Sequence, residues 1–208
     1  MLYNKKILSV VILLSLVFFS CGGNKSKEER AKLENSFTDP SFVLSQAKRI
    51  LGDSVQTAFK GRFDQDSVIE VVAGTEISNK SEWGIRFYLL KLQGDDLVKV
   101  AQTDLLEGSF KGSLCNKIKF PSFNHELIYY NSRDYFLGSS GGEIFSYIIN
   151  FQENKTYYAH LVAGENKPAV LFISENIDVP EIKNFFILNF KRDYPKISLS
   201  SKDVRLKF

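Results

Sequence analysis

The grouping in this 208-residue chain that most suggests covalent chemistry is Gly138-Ser139-Ser140-Gly141-Gly142, a G-x-S-x-G spacing centred on Ser140. A serine becomes a nucleophile in that setting when it sits on a sharp strand-to-helix turn, beside a base and a set of oxyanion donors. The residues that follow, "EIFSYIINF", are rich in β-branched and aromatic types and predict a strand, not a helix. The glycines therefore read as residues of a turn that needs positive φ. The available bases are the chain's two histidines, His125 and His160, and His160 lies within "TYYAHLV", where it reads as an ordinary strand residue. Cys115 does not form a convincing thiol pair with His125, because a lone cysteine with apolar flanks is usually core. No catalytic residue is assigned.

A second grouping lies in "GRFDQDSVIEVVAG", residues 61–74. Asp64 and Asp66 alternate in a turn and Glu70 follows four positions later, so three carboxylates could meet a hard, oxygen-seeking cation such as calcium. The stretch resembles the acidic loop and strand of FG-GAP or VCBS-type repeats, and that resemblance implies calcium as a cofactor held by Asp64, Asp66 and Glu70. Ser67 stands where the repeat has a glycine, and a further unit would place Phe123 and His125 where aspartates belong. The competing reading is a polar β-turn in which the carboxylates accept backbone N–H bonds, with no cofactor bound. This turn reading is the one adopted. Aromatic side chains are the remaining resource: Trp83, Tyr129 and Tyr135 are candidates for ring stacking on a glycan or a peptide. In the pairs Tyr129–Tyr130 and Tyr157–Tyr158, strand alternation puts one ring on each face, one inward and one outward.

The elements that must hold these residues are mostly strands. Short runs of β-branched and aromatic residues, from "VQTAF" through "GIRFYLLKLQ" to "AVLFIS", are separated by turns such as "QGDDL" and "QENKT". Their close spacing favours antiparallel hairpins over βαβ crossovers. One amphipathic helix precedes them: in "TDPSFVLSQAKRILGD", Asp39 suits the cap, Pro40 the first turn and Gly52 the stop, while Val43, Ala47, Ile50 and Leu51 share one stripe. An offset of 59 residues aligns 54–103 with 113–162, carrying Ile85 onto Ile144, Tyr88 onto Tyr147 and Leu92 onto Phe151. Two meanders that merely share a hydrophobic pattern would align in the same way. The fold class is thus mainly β (all-β or α+β), with two successive four-stranded antiparallel meanders forming a sandwich, barrel or blade-like pair. "DVPEIKNFFILNFKRDYP" predicts a second helix, and "KDVRLKF" a closing strand.

The amino terminus bears on location. Lys5 and Lys6 precede an apolar run from Ile7 to Phe19, then Ser20 and Cys21. This is the pattern of an export signal, too short to cross a hydrocarbon core of about 30 Å as a helix. "FFSCGG" resembles the lipobox of bacterial lipoproteins, which implies that Cys21 becomes the lipidated first residue of the mature chain. The expected organisation is a signal over 1–20, a solvated tether over 21–37 and one β-rich domain over 38–208. Gly22 after the cysteine fits the lipoprotein pattern for outer-membrane sorting, facing periplasm or exterior. Loss of residues 1–20 removes two lysines and no acid, so the formal charge falls from +3 to +1. Near-neutrality disfavours a nucleic-acid partner. The expected partners are the membrane, through the anchor, and another envelope protein or a glycan. The functional expectation is a non-enzymatic binding or scaffolding domain; the alternative is an envelope hydrolase using Ser140, or Asp64, Asp66 and Glu70, on a glycan or peptide.

Overall fold

The computed structural model describes residues 27–64, 69–132, 135–136, 141–164 and 168–203. Cys21, Asp66 and Ser140, and the side chain of Tyr135, lie outside the described residues, as does most of the closing strand expected in "KDVRLKF". The chain divides between Asn35 and Ser36 into two units. Of the first, the described part is helix α1 (Lys27–Ser36), which runs into the boundary. Its sequence has no apolar stripe, and its exposed pairs Glu28–Lys32 and Arg30–Glu34 sit at i,i+4 spacing, the arrangement that supports a solvated helix. The segment expected as a tether is thus helical here.

The second unit opens with α2 (Pro40–Leu51), capped as its sequence predicts: Asp39 accepts from the Ser41 N–H at 2.9 Å, and the Gly52 N–H closes the helix on the Lys48 carbonyl. A first sheet follows as an uninterrupted meander, β1 (Val55–Gly61), β2 (Glu70–Ser78), β3 (Trp83–Gln93) and β4 (Asp96–Gln102), in that spatial order. A second sheet comprises β5 (Leu114–Ile118), β6 (Leu127–Asn131), the short β7 (Tyr135–Phe136), β8 (Gly141–Asn150), β9 (Lys155–Gly164), β10 (Val170–Ile173) and β11 (Ser198–Ser200). Its order is β11-β10-β9-β8-β6-β5, with β7 paired to β8. The neighbours are antiparallel except β10 and β11, which run parallel because α3 (Pro180–Asp193) crosses between them.

The protein is mainly β, and its two sheets form a sandwich with a helix on each outer side. Between the sheets, Val72, Ile85, Phe87 and Leu89 meet Ile128, Tyr130, Phe145, Tyr147 and Ile149. α2 packs on β1, β2 and β4 from the other side of the first sheet and buries Val43 and Ala47 there. α3 covers the far face of the second sheet: Ile182, Phe186 and Phe190, four residues apart, pack on Leu127, Tyr129, Ile148, Tyr157 and Leu161. The second sheet is therefore covered on both faces. That changes the expectation for the tyrosine pair. Tyr129 and Tyr130 do point to opposite faces, Tyr129 to α3 and Tyr130 to the first sheet, but both are buried.

Candidate functional site

The side chains with chemical potential are best followed outward from His160. Its ring is fully buried on β9 and lies flat on Phe145 of β8, centroids 4.4 Å apart and planes 5° from parallel. The two are direct cross-strand partners, so the pleat stacks them. Nε2 faces Glu143 Oε2 at 3.0 Å, and Nδ1 faces Asp203 Oδ1 at 2.6 Å. Tyr158, two residues before His160 on the same face, donates its hydroxyl to Asp203 at 2.9 Å. A neutral imidazole carries one N–H, so a ring held between two carboxylates needs a second proton, on itself or on a carboxyl group. With both nitrogens engaged and the ring enclosed, this cluster acts as a tie. It fastens the stretch after β11 to the middle of the second sheet.

The other reactive types are committed in the same way. His125 is buried, with Nε2 on Asn150 Oδ1 at 2.9 Å and Nδ1 near Asn124 Oδ1 at 3.3 Å. Glu70 is buried and accepts backbone N–H bonds from both Phe63 and Asp64, while Asp64 pairs with Lys91. That is the geometry of a turn capped by a carboxylate, and among the described residues no group of three His, Cys, Asp or Glu is placed to hold a metal ion. Burial pushes the Cys115 thiol up to about 12, leaving no thiolate at neutral pH. Directly after Ser140 the chain enters β8, not a helix, and Gly141 has φ +128°, where an added Cβ would collide with the Ala163 carbonyl. Trp83 is 45 % exposed at the start of β3, on the other sheet from Tyr129.

A concave surface does exist where the C-terminal end of α3 meets the second sheet. This cleft of about 270 Å³ is lined by Tyr129 and Asn131 of β6, Ile144 of β8, and Phe190, Arg192 and Tyr194 at the helix end, with Leu114, Asn189 and Asp193 at its margins. Asn131 is 7 % exposed. Its amide nitrogen donates to the Tyr129 hydroxyl at 3.0 Å and to Ser146 Oγ at 2.6 Å, while its Oδ1 has no hydrogen-bond partner among the described residues. At the rim, Arg192 Nε and Nη2 donate to the Asp193 carboxylate at 3.0 and 3.4 Å, and this pairing holds the guanidinium's pKa up. The cleft thus combines aromatic walls, a buried polar atom in want of a partner and a neutralised ion pair at its mouth.

No protein-family profile, curated protein or solved structure matches this chain. Of the candidate site residues singled out from sequence whose side chains are described, Tyr129 lines the cleft and Trp83 does not. Glu143, Asp203 and Asn131 escaped notice. Asp203 is 43 positions from His160 and Glu143 is 17, so no local spacing announces the tie. Asn131 left one usable signal: an amide ending an otherwise apolar strand, "LIYYN".

Proposed function

We propose that this chain is a non-enzymatic binding domain of the bacterial cell envelope, lipid-anchored through Cys21, that takes a ligand in the cleft between α3 and the second sheet. The observation that carries the reading is the contrast between the two kinds of polar group. His160, His125 and Glu70 are spent on holding the structure, with no face turned to solvent. Asn131 and the Arg192–Asp193 pair instead border open space. A buried polar atom without a partner costs about 1–3 kcal/mol, and a ligand hydroxyl that reached Asn131 Oδ1 would recover it.

The anchor is tested by metabolic labelling with a fatty-acid analogue, in wild type and Cys21→Ala. Label in wild type alone supports the reading, and equal labelling of both overturns it. A fluorophosphonate probe addresses catalysis in the same cells: labelling lost in Ser140→Ala would make the protein a serine hydrolase instead. The acidic turn is a structural cap in this reading, with Glu70 Oε2 accepting from two backbone amides and Asp64 paired with Lys91. The melting temperature is therefore expected to be equal in millimolar calcium and in chelator. Calcium binding to the folded loop would raise it, by about 2.7 kcal/mol of stability at 100 times the dissociation constant.

A further inference from the structure

We infer that the cleft at the end of α3 is a site for one neutral saccharide ring, an assignment that rests on the binding-domain reading above and gives it a ligand class. Size comes first. At about 270 Å³ the cleft lies just under the range of about 300–1,000 Å³ that encloses drug-sized ligands. A ring-sized guest fits that volume.

Chemistry narrows the choice further. Of the aromatic residues lining the cleft, Tyr129 and Phe190 are buried and form its base, and the half-buried Tyr194 is the ring that can pack on the C–H face of a sugar. The Asn131 amide then needs a specific partner. As placed, its oxygen wants a donor; turned over, its nitrogen would want an acceptor. A hydroxyl satisfies either arrangement, and a purely apolar ligand satisfies neither. At the rim, Arg192 and Asp193 neutralise each other and together offer N–H donors beside carboxylate acceptors. Adjacent hydroxyls, each able to donate and accept, can bond to such a pair without separating it. An acidic ligand would have to compete with Asp193 and a basic one with Arg192, so net charge on the guest is penalised at this mouth.

The test is saturation-transfer NMR on the full chain in a zwitterionic detergent, chosen so that no sugar headgroup competes. The probes are glucose and N-acetylglucosamine, with glucuronate and glucosamine as charged counterparts. Saturable transfer to a neutral sugar is expected, with affinity lower by about tenfold for the charged analogues and for Arg192→Ala, the scale of one hydrogen bond to a charged group. Asn131→Leu is expected to abolish transfer. Because that buried change risks the fold, Tyr194→Ala at the rim serves as a second variant and is expected to weaken binding. Absence of saturable transfer from every probe overturns the assignment, and so does transfer that Arg192→Ala and Tyr194→Ala leave unchanged. A photocrosslinker at position 194 in living cells separates the two levels. If the sugars fail but a crosslinked partner forms, the saccharide assignment falls and the binding domain stands; if both fail, both fall.

Discussion

At the scale of single residues, the His160 tie is the contact whose loss should be felt most. Removing the ring that bridges two acidic side chains leaves Glu143 buried without that partner and opens a cavity beside Phe145, costs of about 1–3 kcal/mol for the polar group and as much again for the lost packing. His160→Ala is expected to lose about 3 kcal/mol in urea unfolding, and to speed tryptic cleavage after Lys202, one residue before the tied Asp203. A loss below about 1 kcal/mol would mean the cluster is no more than an ordinary hydrogen bond. Other groups bear on the alkaline limit, Cys115, Tyr130 and Tyr157 among them. Burial pushes Cys115 from 9.0 up to about 12, and Tyr130 from 10.0 up to about 12. Above pH 9 the unfolded chain gives up these protons while the folded one keeps them, so the unfolded state binds fewer protons and stability falls as pH rises. Denaturant midpoints are expected to be insensitive to these groups below pH 9 and to drop between pH 9 and 12. In Cys115→Val the onset of that drop moves upward, since the first group to ionise is gone.

At the scale of elements, α3 is the piece that both closes a core and builds the cleft. Phe186 is fully buried on its inner stripe between Ile182 and Phe190. Phe186→Ala is expected to cost about 3–5 kcal/mol in chemical denaturation, whereas Leu188→Ala, 68 % exposed on the opposite side, should stay within about 0.5 kcal/mol. This helix was legible from Pro180, Pro195 and the spacing of its phenylalanines. So were α2 and the long strands, because period and punctuation are local properties of a chain. β11 was not, since "SLS" has too few apolar residues to show alternation and forms only because α3 returns it to β10. The outward tyrosine also failed to appear. Alternation correctly sends Tyr129 and Tyr130 to opposite faces, but whether a face meets water depends on a helix some fifty residues later. For the same reason the cleft could be half-read at most: Tyr129 carried a signal, and the pairing of Asn131 with the end of α3 did not.

At the scale of the whole molecule, the two meanders stack with the same face forward. The 59-residue offset carries β1, β2, β3 and β4 onto β5, β6, β8 and β9. It also carries Ile85 and Leu89, which face the second sheet, onto Ile144 and Ile148, which face α3. On the other side it takes Tyr88 and Leu90 onto Tyr147 and Ile149, the face directed at the first sheet. The relation is that of neighbouring blades, each presenting the same side onward, with α2 and α3 as end plates. A unit of this kind cannot bury its forward face alone. Residues 36–112 expressed without the second meander are expected to aggregate or lack dispersed NMR resonances, because Val72, Phe87 and Leu89 would be exposed. A folded, soluble fragment would show that the first sheet is independent.

The tie at Asp203 has a further consequence, in time instead of energy. A chain is synthesised from its amino end, so β11 and Asp203 arrive after every strand they secure. Until they do, His160 Nδ1 and the Tyr158 hydroxyl wait for their bonds to Asp203, and β10 offers an unpaired edge to any neighbouring chain. Closing that edge falls to β11, which works less like a wall of the building than like the bolt on its door.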